Sequence, residues 1–414
     1  MRGVKSKQLC YETQENLPPQ CYLQFEPNHL GCRDCFNREI YPVTPVTNYY
    51  IGLMSGSSLD GIDATLVEIV SDHQPTVLAA TQTAIPQPLR QAVLNTYHQP
   101  ILLSDAAQWD YQWGELFAQS THRLLTQCNI PASAIHAIGS HGQTIYHQPS
   151  TSHPYSIQWG APSVIAALTQ IPTVAYFRSL DLAYGGQGAP LAPAFHQQMF
   201  ASTKETRVVI NLGGMANITE LPHQNTIRCG FDTGPGNVLL DAWHQHHHGD
   251  PYDINGEWAR QGTPHTSLLN QLLATDYFHQ PPPKSTGREQ FNLAWLQQQL
   301  KILGACIEPA DVQATLVELT AQSIAQGIDQ LSTSPTTAIV CGGGIHNIYL
   351  KQRLQHHLGT ITLASSQLYG LDPQWVEATA FAWMAAQALA RIPLDLTSIT
   401  GSHQPHVFGG IFYP

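Results

Sequence analysis

The stretch IGLMSGSSLDGIDATLVEI, residues 51–69, decides the fold. An apolar run over 49–54 leads into a short segment of serine, glycine and aspartate, and apolar residues then return with a rough two-residue alternation. This pattern predicts a strand, a tight turn and a second strand. Glycine lets a turn approach a ligand closely, and successive N–H groups with serine hydroxyls suit phosphate oxygens. The segment is therefore a candidate phosphate-binding turn, although an ordinary polar hairpin loop has the same composition.

The chain is long enough for two domains and has an acidic balance. Its 414 residues exceed the usual single domain of about 100–200 residues. The 29 acidic residues outnumber the 18 basic ones and no basic stripe is present, so a nucleic-acid partner is disfavoured. No apolar run of about twenty residues could span a bilayer, and the first residues lack the apolar core of a signal peptide. We therefore expect a cytoplasmic protein with no membrane partner.

Residues 1–46 differ from the rest of the chain. They contain Cys10, Cys21, Cys32 and Cys35, of which the last two form a single CxxC pair. Such a pair could belong to a zinc site. The other two cysteines are loosely spaced, and the segment has several prolines with little periodicity, so we expect a poorly ordered N-terminal extension.

A second stretch repeats the opening architecture. RVVINLGGMANITEL, residues 207–221, has a β-branched run, a turn at Gly213 and Gly214 and a second apolar run. Soon afterwards GFDTGPGN again concentrates small and acidic groups, among them Asp232 and Gly234. Two phosphate-type turns, one in each half, predict two similarly built α/β lobes that face a nucleotide across a cleft.

A third glycine cluster lies in IVCGGGIHN, residues 339–347. It follows an apolar strand and precedes an expected helix at about 347–357. Gly342, Gly343 and Gly344 would let the backbone lie flat against a base or ribose, and the alternative is a tight strand-to-helix turn. No segment has the GxxxxGK[ST] spacing of a P-loop and no GxGxxG follows a strand, so those two nucleotide-binding folds are disfavoured.

Polar residues are also expected at strand ends in the first half. A buried strand that starts near residue 135 is predicted to end at 140–143, where its side chains could face a cleft. Asp181 precedes the glycine segment 185–188 and suits a catalytic base at the mouth of a closing cleft. The alternative is a helix N-cap, or a turn aspartate paired with Arg178.

Taken in order, the motifs resemble those of one family. The anhydro-N-acetylmuramic acid kinases have motifs similar to GLMSGSSLDGID, SHGQT, QWG, FRSLDLAYGGQGAPL, INLGGMANIT, FDTGPGN, KSTGREQFN, CGGGIHN and GLDPQWVEATAFAWMA, over about residues 49–414. Ser57 is a departure, since the family usually has threonine there. The resemblance implies the two-lobed α/β fold of the actin and hexokinase superfamily, with a mixed sheet flanked by helices in each lobe and the active site between them. Lobe I is expected at 47–177 with about 392–414, and lobe II at 178–391.

The resemblance implies a double reaction. 1,6-Anhydro-N-acetylmuramic acid, ATP and water would give N-acetylmuramic acid 6-phosphate and ADP, a step in peptidoglycan recycling. Asp181 matches the family's catalytic aspartate and is expected to activate water for attack on C1, after which the departing O6 attacks the γ-phosphate. ATP and Mg²⁺ are the implied cofactors, the anhydro-sugar is the implied small-molecule partner, and a homodimer is the implied assembly.

The implied site residues fall into three groups. The ATP-binding group is Gly56, Ser57, Ser58, Leu59, Asp60, Gly61, Ile62, Asp63, Gly213, Gly214, Asp232, Gly234, Gly342, Gly343 and Gly344. Mg²⁺ is expected to be bound through water by Asp60 or Asp232. Sugar contacts are expected at His141, Gln143, Gln158 and Glu377.

Other polar groups have ordinary alternatives. Glu377 lies on an alanine-rich helix, where a structural ion pair competes with a sugar contact. Lys284, Arg288 and Glu289 fit a solvated loop as well as a role in ordering the lobes or binding the lactyl carboxylate. The histidine run at 244–248 lacks a cysteine or carboxylate framework, so a solvated helix end is favoured over a metal site.

Two other functions fit the same fold. A conventional sugar or amino-sugar kinase would use Asp181 to deprotonate the 6-hydroxyl group instead of water. A non-catalytic switch of the actin type would hydrolyse ATP without phosphorylating a sugar, and the sequence shows no long partner-binding insertion that favours it.

Overall fold

A computed structural model describes most of the chain from residue 47 onward. The described ranges belong to one compact unit and are 47–56, 58–70, 73–97, 99–223 and 227–414. The predicted extension over residues 1–46, with its cysteines and its zinc alternative, lies outside the described residues, and so does Ser57.

The strands of the described residues assemble into two mixed sheets. They are β1 (Thr47–Ser55), β2 (Ile62–Val70), β3 (Thr76–Thr83), β4 (Ile135–Gln148), β5 (Tyr155–Trp159), β6 (Thr173–Ala175), β7 (Arg207–Leu212), β8 (Met215–Leu221), β9 (Cys229–Pro235), β10 (Thr337–Cys341), β11 (Thr362–Ser365) and β12 (Gly410–Phe412). The first sheet has the order β12-β6-β4-β1-β2-β3, with β5 paired to β4, and the second has the order β11-β10-β7-β8-β9.

Both sheets follow the same plan. β1, β2 and β3 form an antiparallel meander, and β4 and β6 continue the sheet parallel to β1. β7, β8 and β9 form the second meander, which β10 and β11 continue in the same way. The two predicted hairpins and the two similar lobes are confirmed. Because the central strands of each sheet run parallel, their carboxyl ends meet at one edge, where each hairpin turn also lies.

Helices cover the sheets. They are α1 (Gln87–Thr96), α2 (Leu103–Cys128), α3 (Pro162–Thr169), α4 (Ser179–Ala183), α5 (Ala192–Phe200), α6 (Val238–His248), α7 (Thr266–Leu273), α8 (Asp276–His279), α9 (Leu293–Leu303), α10 (Pro309–Asp329), α11 (Ile348–Leu358), α12 (Val376–Leu389) and α13 (Thr397–Thr400). α11 confirms the helix predicted after the third glycine cluster. Within the part of the chain that is described, every helix is too short or too polar to cross a bilayer.

The helix α12 lies between the two sheets. It packs against β1, β2 and β4 of the first sheet. The core around it joins Phe381 and Ala385 of the helix with Val209 and Ile339 of the second sheet. The predicted lobe boundaries stay predictions, although the chain already contacts the strands of lobe I before the predicted return at about 392.

Two paired glycines let α12 approach the first sheet. Gly52 of β1 and Gly139 of β4 are partners in the parallel ladder. A Cβ atom on Gly52 would overlap the carbonyl of Ala378, and one on Gly139 would overlap the carbonyl of Phe381. A helix carbonyl cannot move without the helix, so close backbone approach requires glycine at both strand positions.

We expect Gly52→Ala to lower the free energy of unfolding by about 2–4 kcal/mol, because the added methyl group displaces α12 from the sheet. Urea denaturation followed by circular dichroism measures this loss. Gly410→Ala in β12 is the matched control, since a Cβ there would meet only the Phe412 ring at 3.7 Å. Equal losses in the two variants would contradict the packing explanation.

The strand β4 corrects one prediction, because it does not end at 140–143. It continues to Gln148, with a register irregularity opposite the end of β1 and a left-handed Gly142 at φ 77°. Beyond this point β4 pairs with β5. Gly142, which lies within the predicted strand end, instead produces a local irregularity in a strand that continues.

Candidate active site

The first hairpin turn lies at the carboxyl end of β1. The N–H of Leu59 donates to the Gly56 carbonyl at 3.2 Å, and Leu59 has a left-handed φ of 59°. The side chains of Leu59 and Ile62 are buried in the core, so only their backbone could contact a nucleotide. Gly61 is buried, whereas Asp60 is exposed at the tip. Ser58, which precedes the buried Leu59, is half-buried.

Partly buried carboxylates face the turn from both sides of the cleft. Burial raises the pKa of Asp63 to about 7; a hydrogen bond from Gln82 at 2.9 Å opposes the rise, and the charges of Glu377 and Asp60 add to it. Burial also raises the pKa of Asp241, on α6, to about 7, and the charge of Asp60 adds to the rise. Asp60 is therefore within electrostatic reach of a carboxylate on the second sheet's side.

This concentration of negative charge suits a hydrated divalent cation. Among the described residues, no group of three or more His, Cys, Asp or Glu side chains is placed to bind a metal ion. Mg²⁺ usually keeps several waters and uses one or two carboxylates, so Asp60 together with Asp63 or Asp241 would hold it through water.

We expect Asp241→Asn to raise the free energy of unfolding of the ligand-free protein by about 1–3 kcal/mol at pH 8, because it removes a buried charge. The folded pKa near 7 lies above the value of an unfolded aspartate, so this carboxyl destabilises the fold increasingly as pH rises to 7. The gain should therefore shrink at pH 5.5. Urea titrations at both pH values test this, with the exposed Asp329→Asn as control; an equal gain at both would contradict it.

The second hairpin turn packs on the start of α6. The carbonyl of Gly214 accepts from the N–H groups of Gly236 at 2.9 Å and Val238 at 3.1 Å, and the carbonyl of Gly213 accepts from Asn237 at 2.9 Å. These N–H groups at the helix start are already paired, so they are not free to bind a phosphate. The turn at Gly213 and Gly214 therefore stays the candidate phosphate-binding element of the second sheet.

The third glycine cluster lies at the carboxyl ends of β7 and β10. Cβ atoms on Gly342 and Gly344 would clash with Asn211 and Asn237, respectively. A Cβ on Gly343 would meet nothing within 4 Å. The cluster therefore packs tightly on two sides and opens at its middle residue.

Arg178 brings a partly buried positive charge close to Asp232, Glu377 and Asp181. Its Nη1 donates to the Gly188 carbonyl at 2.6 Å, and its Nη2 lies 2.8 Å from Nε2 of His141. Nδ1 of His141 lies 2.9 Å from the Gly142 carbonyl, so a neutral ring protonated at Nδ1 satisfies both contacts. Burial and the charge of Arg178 keep the pKa of His141 well below its usual value, in agreement with a neutral ring. The predicted sugar contact His141 thus binds Arg178.

Asp232 is the carboxylate of β9 that faces this charge. The residue is 9% exposed, and the N–H of Thr286 donates to its Oδ2 at 3.0 Å. Burial raises its pKa to about 7; the Thr286 bond and the charge of Arg178 lower it, and the charges of Glu289 and Glu377 raise it. A carboxyl with a pKa near 7 suits a general base at neutral pH.

Gly234, two residues further along β9, is required by packing. It has a φ of 149°, and a Cβ there would lie 2.6 Å from the Phe278 ring. Its predicted contact with a phosphate stays a prediction.

Glu377 approaches the same place from α12. Nδ2 of Asn211 donates to its Oε1 at 3.3 Å. Burial raises the pKa of Glu377, whereas Arg178 and the Asn211 bond lower it. Among the described residues Glu377 has no partner within salt-bridge distance, so the ion-pair alternative lacks a close partner.

Asp181 lies in a different environment. It is on α4, fully buried at 0% exposure. The Gly188 N–H donates to Oδ2 and the Thr400 hydroxyl donates to Oδ1, each at 2.7 Å. His406 Nε2 is 3.7 Å from Oδ1. In this conformation both oxygens face protein donors, so the predicted role of Asp181 as base stays a prediction that requires the segment 185–188 to move.

The two predicted glutamine contacts bond within the first sheet. Oε1 of Gln143 accepts from the Ser55 hydroxyl at 2.7 Å, which ties β4 to the end of β1. Nε2 of Gln158 donates to the Ser156 hydroxyl at 2.6 Å. Their contact with a sugar stays a prediction.

The loop before α9 carries charge that reaches both sides of the cleft. Burial lowers the pKa of Arg288, whereas Tyr97, Asp241 and Asp60 raise it. Lys284 instead turns inward and donates to main-chain carbonyls. The alternative of a solvated loop therefore does not describe the buried Lys284 or the half-buried Arg288, whereas Glu289 is exposed, as that alternative expects.

The histidine run lies on the last turns of α6. The three residues from His246 to His248 are exposed, and the rings of His247 and His248 pack against Trp243 and Trp258 with centroids 4.2 and 4.4 Å apart. This position agrees with the interpretation of the histidine run as a solvated helix end.

Several groups near the site were not predicted from the sequence. Arg178 was considered only as a partner of Asp181, and Asn211, Asp241 and Thr286 were not singled out. Each stands in or just after a glycine-containing motif, where a polar residue interrupts apolar or small neighbours. A polar residue that interrupts such neighbours is the sequence signal by which these four residues could have been found.

Comparisons with known proteins agree with the motifs. The family model for Anhydro-N-acetylmuramic acid kinase matches residues 48–414. The anhydro-N-acetylmuramic acid kinase of Chromohalobacter salexigens is 46% identical over 370 residues, which cover 88% of this chain and 99% of that protein. The enzyme of the same name from Pasteurella multocida is 45% identical over 369 residues, with 88% and 97% covered.

Two solved structures match most of the chain at low similarity. A ROK family glucokinase from Streptomyces griseus in complex with glucose and AMPPNP has a TM-score of 0.38 and 14% identity, covering 82% of this chain and 100% of that one. The activator of 2-hydroxyisocaproyl-CoA dehydratase from Clostridium difficile with bound ADPNP has a TM-score of 0.41 and 10% identity, with 81% and 92% covered. The family match and the two sheets of one plan confirm the predicted two-lobed α/β fold.

Proposed function

Because the chain belongs to the anhydro-N-acetylmuramic acid kinase family, we propose that it opens the 1,6-anhydro bridge of 1,6-anhydro-N-acetylmuramic acid by hydrolysis and transfers the γ-phosphoryl group of ATP to O6. The products are N-acetylmuramic acid 6-phosphate and ADP. The enzyme is then a phosphotransferase with an alcohol group as acceptor, and it acts in peptidoglycan recycling.

The carboxylate of Asp232 is the observation that supports this mechanism best. Among the described residues its Oδ1 receives no hydrogen bond, whereas both oxygens of Asp181 receive one. Asp232 also has the raised pKa of a base that works near neutral pH. We therefore propose Asp232 as a second carboxylate of the site, while Asp181 stays the proposed base, a role that requires the segment 185–188 to move.

The protons and electrons of the proposed reaction balance. Asp181 takes one proton from water while the water oxygen bonds to C1. The C1–O6 bond breaks, its electron pair stays on O6, and O6 bonds to the γ-phosphorus as the bond to the ADP oxygen breaks. Arg178 stabilises the ionised form of Asp232, and Glu377 supplies negative charge for the cationic character that develops at C1.

The nucleotide is proposed to lie across the cleft. Its phosphates would contact the turns at 56–61 and 213–214, and its adenosine would lie against 342–344, where Gly343 opens onto free space. Mg²⁺ would be bound through water by Asp60 with help from Asp241, and it would neutralise phosphate charge. Asp232 faces Arg178, so we do not assign it to the metal.

Oxygen-labelled water tests the hydrolytic step. The protein is incubated with Mg·ATP, the anhydro-sugar and labelled water, and the product is analysed by mass spectrometry with fragmentation. We expect one label on C1 and none on the bridging O6. Unlabelled product incubated in labelled water corrects for exchange at the anomeric carbon.

The other outcomes identify the alternatives. Phosphorylation of a free sugar with no turnover of the anhydro-sugar would favour a conventional sugar kinase. ATP hydrolysis with no sugar phosphate would favour an actin-like switch. A homodimer and a cytoplasmic location are parts of the same proposal, and light scattering and cell fractionation test them.

A further inference from the structure

We propose that Lys284 is a positioning residue, whose buried ammonium group anchors the loop 280–292 to α8 and thereby holds the Thr286 N–H against Asp232. The inference rests on the proposed function, because Asp232 belongs to the proposed site. It gives a role to a buried charge that the proposed reaction does not use.

The ammonium group of Lys284 is buried away from any carboxylate. The residue is 8% exposed, and its Nζ donates to the carbonyls of Tyr277 at 3.2 Å and Phe278 at 3.4 Å. The same atom lies 5.0 Å from the centre of the Tyr277 ring and 5.6 Å from that of Phe231. Among the described residues Lys284 forms no salt bridge. Two carbonyl oxygens and two ring faces therefore stabilise this cation.

Stability alone does not explain a charge at this position. Phe231, Tyr277, Phe278 and Phe291 around it belong to one buried apolar cluster. Burial disfavours the charged form and lowers the pKa of Lys284. Replacing a buried charge by an apolar side chain of similar size is often neutral or stabilising. What the ammonium group adds is a pair of directed hydrogen bonds, which fix α8 relative to the loop.

The main chain of the loop carries this position to Asp232. The N–H of Asp232 donates to the Lys284 carbonyl at 3.2 Å, and the N–H of Thr286 donates to Oδ2 of Asp232 at 3.0 Å. The Tyr277 hydroxyl donates to the Asp232 carbonyl at 2.6 Å. The loop, α8 and β9 are therefore each bonded to the other two, and the side chain of Lys284 supplies the bond between the loop and α8.

The position of Thr286 matters because its N–H favours the ionised form of Asp232. The charged or titratable groups near this carboxylate are Arg178 ahead of α4, Tyr277 on α8, Lys284 and Glu289 in the loop, and Glu377 on α12. The Thr286 bond and the charge of Arg178 lower the pKa of Asp232, whereas Glu289 and Glu377 raise it. If the loop moves and the Thr286 bond is lost, Asp232 ionises at a higher pH.

The first test removes the ammonium group and keeps the length of the side chain. We expect Lys284→Met to leave the urea midpoint unchanged or higher, because a buried charge is removed. We expect kcat/KM to fall by about 10- to 100-fold, since misplacement by about 1 Å can cost that much. The acidic limb of the kcat/KM profile should move to higher pH by about half to one unit. Lys301→Met, on the exposed surface of α9, is the control and should change none of these quantities.

The opposite results are equally clear. A lower urea midpoint in Lys284→Met would show that the ammonium group has a purely structural role. An unmoved pH limb, or an unchanged kcat/KM, would show that it does not position Thr286. Each of these results overturns the proposal.

Hydrogen exchange separates this inference from the proposed function. It is measured by mass spectrometry on the full chain without substrates, in peptides that contain Thr286 or Asp232. We expect both amides to exchange faster in Lys284→Met than in Lys301→Met or the unsubstituted protein, because both donate within the anchored arrangement. If this pattern is found but no sugar phosphate is ever formed, the anchor is supported and the proposed function fails. If Lys284→Met leaves the exchange unchanged, the anchor is refuted whatever the reaction proves to be.

Discussion

Asp232→Asn is expected to lower kcat by about 10²–10⁴-fold while the Kd for Mg·ATP stays within a few-fold. Asparagine keeps the size of the side chain and an oxygen that accepts from the Thr286 N–H. It removes the negative charge that faces Arg178 in the site, so we expect the loss to fall on the chemical step. Initial rates and isothermal titration calorimetry measure the two quantities separately.

The same carboxylate sets the expected pH dependence. Its pKa is raised to about 7, so its negative charge is present in full only above that pH. The value of kcat/KM should therefore fall as pH drops below 7 and level off above it. The residual activity of Asp232→Asn should lack this limb, because the titrating group is gone.

Asp329→Asn is the matched control for this prediction. Asp329 is exposed at the end of α10. The same change of charge there should leave kcat and the pH limb unaltered. Near-normal turnover by Asp232→Asn, or a limb that persists in it, would remove Asp232 from the proposed step.

Arg178→Met is expected to lower kcat/KM by about 10²–10³-fold, in the range found when a preorganised electrostatic group is removed. The substitution keeps a long side chain but takes the positive charge away from Asp232 and Glu377. The acidic limb should move to higher pH, because the ionised form of Asp232 loses its stabilising charge. Full pH profiles of kcat/KM measure both effects.

Arg178→Lys separates charge from geometry. A lysine keeps the charge, but its single ammonium group cannot reproduce the spaced contacts of the guanidinium with Gly188 and His141. We expect the loss of kcat/KM in Arg178→Lys to be smaller than the loss in Arg178→Met. Arg123→Met, on the exposed surface of α2, is the control for removal of an arginine. An unmoved pH limb in Arg178→Met would show that Arg178 does not influence Asp232.

The two hairpins could be predicted because their signals are local. The alternation after residue 62 and the β-branched run before Gly213 specify strands that pair across a short turn, and β1–β2 and β7–β8 do so. The duplication of such a hairpin then indicated two similar lobes. The continuation of β4 beyond residue 143 was not predictable in the same way, because it depends on β5, with which it pairs.

The different environments of Asp181 and Asp232 could not be predicted from local signals. Asp181 and Asp232 both stand near glycine-rich motifs with similar composition. Asp181 is enclosed because Thr400 donates to it from the other end of the chain. Burial raises the pKa of Asp232, and the charges of Glu289 and Glu377 from two other segments add to the rise, whereas Arg178 lowers the pKa.

The sequence by itself determined the family, the two-lobed fold and the glycine turns expected to bind a nucleotide, since these depend on residues that are neighbours along the chain. Only the tertiary structure decided which carboxylate is enclosed, where the charge of Arg178 lies and how closely α12 packs on Gly52 and Gly139. Burial and electrostatic interactions depend on distances through space, and the order of residues does not contain those distances until the chain is folded.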